Sequence, residues 1–124
     1  MSERFEVGVV RTVEATHAMP FDDGPEGRPH PHDYRVEVVV TTTELDDRGM
    51  AVDLLNLGSA VDDALQVVRG ADLESVRPAD VLAVTVEVFA RWIHDRVRQR
   101  LARGAVAVRV WEDEGAFGGY RGDG

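Results

Sequence analysis

Two stretches of period-two alternation, separated by a segment crowded with prolines, restrict the folds open to this chain more than anything else in its sequence. From Phe5 to His17 the odd positions read Phe, Val, Val, Arg, Val, Ala, His, broken only by Arg11, and β-branched residues recur throughout. Such alternation places one set of side chains on a buried face and predicts a long strand. Residues 18–31 then collect Pro20, Asp22, Asp23, Gly24, Pro25, Gly27, Pro29 and Pro31, a density of breakers that predicts a loop. From about His32 to Thr43 the alternation returns, with Tyr34, Val36, Val38 and Val40 on one face and Arg35, Glu37 and Val39 on the other. The two strands are expected to pair as a long antiparallel hairpin.

The period then changes. Beyond the turn residues Asp46, Asp47, Arg48 and Gly49, the apolar positions Leu54, Leu57, Val61, Leu65 and Val68 recur at spacings of three and four and predict a helix. Pro78 and Asp80 open a region in which Leu82, Val86, Phe89, Ile93, Val97 and Leu101 form a second apolar stripe as far as Gly104, with a start between Asp80 and Thr85. Ala105 to Trp111 predicts a further strand, and a last one is expected near Tyr120. A length of 124 residues suits one domain, and no repeat or linker divides it. So small a chain buries a limited share of its surface, which makes self-association an expected source of stability.

Composition removes several functions. The chain has 14 basic side chains, all arginine, against 23 acidic ones, for a net charge of -9, so a nucleic-acid partner is not expected. The densest basic group, Arg91, Arg96, Arg98, Arg100 and Arg103, lies along the second predicted helix near Glu87 and Asp95 and reads as a solvated face. The absence of cysteine excludes disulfides, thiolate metal sites and a cysteine nucleophile. Met1 to Phe5 shows no leader-like pattern and no apolar run is long enough to span a bilayer, so no membrane association and a cytoplasmic location are expected.

Three of the four histidines, His17, His30 and His32, border the proline-rich loop. Residues i and i+2 of an extended segment point to the same side, so His30 and His32 can present two imidazoles to one point. His17, at the end of the partner strand, can close the set. An H-x-H pair alone is more often an ordinary loop tripeptide; the third histidine is what turns the pattern towards a metal. Three neutral imidazoles that leave one position open form the usual donor set of catalytic zinc, whereas structural zinc has all four positions filled by protein. His94, placed mid-helix among Arg91, Asp95 and Arg98, is expected to be solvated or to cap.

These residues resemble the 6-pyruvoyl-tetrahydropterin synthase and 6-carboxytetrahydropterin synthase family. That family has a histidine ending its first strand and H-G-H opening its second, and the resemblance assigns zinc binding to His17 in EATHAM and to His30 and His32 in HPHDY. GMAVDLLNL, with Asp53, resembles the family's glycine-containing turn and following aspartate. VTVEVFARWI resembles its proline-threonine-x-glutamate helix start, with Thr85 and Glu87 in place and Val84 where proline is usual. WEDEGAFGGY resembles the stretch whose glutamate anchors the pterin ring, which gives that role to Glu112 and a ring contact to Thr85. The implied fold is α+β, a T-fold of order ββααββ: a four-stranded antiparallel sheet with two helices on one face, joining into a trimeric barrel or a hexamer with sites between subunits.

Three departures bear on activity. Glu26 in EGRPHPH stands where the family has its catalytic cysteine. A carboxylate can serve as general base there, and a branch of the family with glutamate at this position cleaves the side chain of dihydroneopterin triphosphate to 6-hydroxymethyl-dihydropterin. Arg69 and Gly70 in VVRGADLES occupy the place of the aspartate-histidine pair that assists proton transfer, with Asp72 the nearest substitute. Pro31 replaces the glycine of H-G-H, removing a donor and fixing φ. The resemblance thus implies a zinc-dependent pterin lyase. It leaves open a metal- and pterin- or purine-binding protein that has lost its proton relay, and a structural oligomer with an incidental metal. A triphosphate would draw on Arg28, Arg69 or a neighbouring subunit's arginines.

Overall fold

A computed structural model describes residues 3–19, 24 and 27–122. Its elements are β1 (Phe5–His17), β2 (His30–Thr42), α1 (Leu54–Val68), a 3-10 turn (Leu73–Val76), α2 (Val86–Arg98), β3 (Ala105–Asp113) and β4 (Ala116–Arg121). The strands form one antiparallel sheet in the order β1-β2-β3-β4, so every neighbour in space is a neighbour in sequence. The expected ββααββ order and α+β class are therefore what the chain adopts.

Alternation decides which face of the sheet is covered. Val13 and Ala15 of β1, Tyr34, Val36, Val38 and Val40 of β2, and Val106, Val108 and Val110 of β3 are buried and meet both helices. The opposite face carries Glu6, Thr12, Arg35, Glu37 and Arg109. Leu57, Val61, Leu65 and Val68 of α1 and Phe89, Ile93 and Val97 of α2 supply the other half of the core, each fully buried. The spacing of three and four that predicted these helices is the stripe they bury. Asp53 caps α1, accepting from Leu55 N–H at 2.8 Å, and Thr85 caps α2, accepting from Val88 N–H at 3.2 Å. Both N-caps satisfy backbone donors that a helix start leaves open.

Helix α2 stops at Arg98 instead of reaching Gly104. The apolar stripe continues to Leu101 because that side chain packs on the core from a turn. Gly104 then reverses the chain with φ of 94°, and a Cβ there would lie 2.6 Å from Val40 Cγ1, so both conformation and space require glycine. Arg103 leaves the expected solvated face: its guanidinium donates to the carbonyls of Ala51 (3.0 Å), Glu44 (2.7 Å) and Met50 (3.3 Å) and pins the turn before α1. His94 also departs from expectation. It is 7% exposed, its ring lies 4.8 Å from that of Tyr120, and Gly122 abuts its Nε2, because this side of α2 rests on β4. Among the described residues no helix is long and apolar enough to cross a membrane.

Candidate metal and pterin site

The covered face of the sheet continues past its apolar residues into histidine. Val13 pairs with Tyr34, Ala15 with His32 and His17 with His30, so the inward positions of β1 and β2 run from core to imidazole without a change of register. Strand β2 begins at His30, two residues earlier than the sequence suggested, since Pro31 tolerates the extended conformation opposite Thr16. Ala15 opposite His32 leaves room for the rings above it.

The three rings converge. Their centroids are 4.5 Å apart for His30 and His32, 6.1 Å for His17 and His30, and 6.2 Å for His17 and His32. Imidazoles bound tetrahedrally to one zinc have centroids roughly 5 Å apart, which these separations bracket. Among the described residues no three donors stand in a ready-made coordination arrangement, and His17 is the ring that sits wide. His17 Nδ1 and His32 Nε2 are nevertheless buried without a hydrogen-bond partner among the described residues. Buried polar atoms rarely go unsatisfied, and two imidazole nitrogens in one cluster match the donors a metal takes. The Nδ1–H of His30 donates to the Arg28 carbonyl at 2.7 Å, which leaves the lone pair on Nε2 and orients the ring as an outer partner of a metal ligand does. Burial lowers the pKa of His17, the neighbouring His32 and His30 add to this, and the Glu112 carboxylate opposes it. The neutral ring is the form that can hold a metal. The donor set fits the implied zinc.

A cleft of about 380 Å³ opens beside His17. Tyr34, Phe89 and Val84 supply apolar wall, and Thr85, Glu87 and Glu112 line it with polar groups. His30 and His32 are outside this lining; Glu112 makes the link, its Oε1 lying 3.5 Å from His32 Nε2. Glu112 reaches the site because it continues the inward series Val106, Val108, Val110 of β3. Thr85 is held as the α2 cap while facing the cleft. Gly118 of β4 lets the α2 start come close: a Cβ there would lie 2.5 Å from Val86 Cγ2 and 3.0 Å from Glu87 Oε1.

Glu26 lies outside the described residues. The segment at the relay position forms a short extension of the open edge of β1: Gly70 N–H donates to Glu14 O at 2.7 Å, Thr16 N–H to Ala71 O at 2.8 Å, and Thr16 bridges Asp72. Gly70 has φ of 70°, a conformation that suits glycine and strains histidine. Asp72 is occupied as the cap of the 3-10 turn, accepting from Glu74 N–H at 2.9 Å, and does not line the cleft. Several lining residues carry no site role in the sequence: Tyr34, Val86 and Phe89, which read only as core, Leu73, and Met19, whose two-residue spacing from His17 was an available signal.

The family model of 6-pyruvoyl tetrahydropterin synthase matches residues 6–123, and the chain belongs to that family. Among solved structures, the Caenorhabditis elegans 6-pyruvoyl tetrahydropterin synthase superposes with a TM-score of 0.80 at 19% identity, covering 98% of each chain. A catalytic-residue mutant of the Plasmodium vivax 6-pyruvoyltetrahydropterin synthase, with glutamate replaced by alanine, gives 0.78 at 12% identity, covering 98% of this chain and 99% of that one. An uncharacterised Wolinella succinogenes protein gives 0.71 at 14%, covering 98% and 100%. No curated protein matches the sequence. The fold is the T-fold of these relatives.

Proposed function

We propose that the protein is a zinc-dependent lyase acting on a pterin such as 7,8-dihydroneopterin triphosphate, cleaving its side chain towards 6-hydroxymethyl-dihydropterin. The observation that carries this reading is the convergence of His17, His30 and His32, with buried imidazole nitrogens, beside a cleft whose polar wall includes Glu112. His17, His30 and His32 would hold the metal. Bound there, zinc supplies Lewis-acid polarisation of a substrate side-chain oxygen.

The remaining work falls to the chain. Glu112 accepts two hydrogen bonds from the adjacent N–H donors of a 2-aminopterin ring, a bidentate fit for a carboxylate. Tyr34 and Phe89, with ring centroids 5.5 Å apart, give that ring an apolar wall and exclude water. Thr85 offers a hydroxyl at the same wall. Glu26 takes the proton from the side-chain hydroxyl as general base. A catalytic glutamate in the Plasmodium vivax relative supports a carboxylate in this role. Exposed Leu54, Leu55 (83% exposed) and Leu82 (80% exposed), together with the open edges of β1 and β4, support a homo-oligomer that covers them, a trimer or hexamer by the family pattern.

Incubating the zinc-loaded protein with dihydroneopterin triphosphate and separating the products tests the reading: 6-hydroxymethyl-dihydropterin is expected, and no turnover with zinc bound would overturn it. One observation favours a second reading. With Gly70 at the relay position and Asp72 engaged as a cap, a pterin-binding protein without chemistry is the alternative. It predicts tight ligand binding without product and an affinity unchanged in Glu26→Gln.

A further inference from the structure

Glu112 holds a position that ring anchoring alone does not account for. Its Oε1 lies 3.5 Å from His32 Nε2, a nitrogen that is buried without a hydrogen-bond partner among the described residues. The gap is too wide for an N–H···O bond, which closes to about 2.7–3.2 Å. It is close to the edge of a tetrahedron around zinc: an imidazole nitrogen and a carboxylate oxygen bound to one ion at about 2.0–2.2 Å stand roughly 3.3 Å apart. The backbone here aims the side chain. In the pairing of β3 with β4, Trp111 faces Phe117 and Asp113 faces Ala116, so the register shifts at Glu112. Such bulges re-aim a side chain and recur beside active sites. The carboxylate also lines the cleft with His17; burial lowers the pKa of that ring, and the charge of Glu112 is the foremost influence opposing it.

We infer that Glu112 is the fourth ligand of the histidine centre when no substrate is present, and that it leaves the metal when the pterin ring arrives. Carboxylate oxygen is an ordinary partner of imidazole on zinc. Holding the ring's two adjacent N–H donors engages both oxygens of Glu112, so the bond from Oε1 to the metal breaks as the two hydrogen bonds form. The vacated position passes to a water or to a substrate side-chain oxygen. One side chain thereby keeps the site closed at rest and opens it only to a molecule that carries the ring. The inference rests on the histidine and ring-anchoring readings and adds a coupling between them. A bare ring and the metal draw on the same carboxylate, and by linkage each weakens the binding of the other by the same factor.

The test uses pterin itself, which has the ring's donors and no side chain to reach the metal. Its affinity is measured by calorimetry for the metal-free and zinc-loaded protein, and the visible spectrum of the cobalt(II)-loaded protein is recorded with and without it, for wild type and Glu112→Gln. Pterin is expected to bind zinc-loaded wild type about tenfold more weakly than the metal-free form, and to shift the cobalt bands. In Glu112→Gln the cobalt spectrum should differ from that of wild type and no longer respond to pterin, with zinc bound about tenfold more weakly. Identical cobalt spectra in the two proteins, with a pterin affinity indifferent to metal, overturn the assignment and leave the histidine reading standing. If pterin binds neither form of the wild type, the ring-anchoring reading fails, and the coupling with it. If neither zinc nor cobalt binds stoichiometrically to the wild type, the histidine reading itself fails.

Discussion

At the scale of single residues, the site is a matter of which side chains the inward face carries where the core ends. His17 and Glu112 reach it by continuing the alternation of β1 and β3, and Thr85 by capping α2. Glu112→Gln keeps the shape but turns one acceptor into a donor against the pterin's N–H groups; ligand affinity measured by calorimetry should fall by about 1.5–3 kcal/mol with zinc stoichiometry unchanged. Thr85→Ala removes the cap and should cost about 1 kcal/mol in denaturant unfolding, with Thr85→Ser restoring most of it. The three histidines proposed to hold the metal were legible because an H-x-H spacing and a strand end are local facts. Met19 and the burial of His94 were not. Both depend on what another element brings opposite: the cleft in one case, Tyr120 and Gly122 in the other.

At the scale of elements, alternation fixed the strands well because the sheet is covered on one face only, and period 2 records that asymmetry directly. The end of α2 was overrun because Leu101 keeps the apolar spacing while lying in a turn, so periodicity followed the core and missed the backbone. Contacts between elements carry their own predictions. Gly118→Val would drive a side chain into Val86 and Glu87, and should both destabilise the protein by about 1–3 kcal/mol and weaken pterin binding, since the α2 start forms one wall of the cleft. In the turn before α1, Asp46 accepts from Arg48 N–H and Met50 N–H, each at 2.9 Å, and the Met50 bond foremost holds its carboxyl below the ordinary value. A lowered folded value means that the unfolded state binds the proton first. The stabilisation is therefore present above the ordinary value of 3.8 and lost as pH falls from there through the lowered one. Acid unfolding curves of Asp46→Ala should lack that component; identical pH dependence in variant and wild type would count against it.

At the scale of the molecule, a closed core and an incomplete site share one sheet. Phe89 belongs to both, buried in the core and lining the cleft, so Phe89→Ala should cost about 3–5 kcal/mol and also loosen pterin binding. The family and its T-fold were legible from the order of motifs along the whole chain, since motif order survives where identity to solved relatives has fallen to 19% or below. What chain order could not supply is the third dimension of the relay. The segment after α1 lies against the end of β1, beside the histidines, yet it presents Gly70 and a capping Asp72 where proton transfer was expected. The proposed chemistry depends on a metal at the end of the β1–β2 hairpin. Elemental analysis of the gently purified protein and of His32→Ala tests this most directly: one zinc per chain in the first and near none in the second is predicted. Zinc well below one per chain, or a content indifferent to the loss of His32, would contradict it.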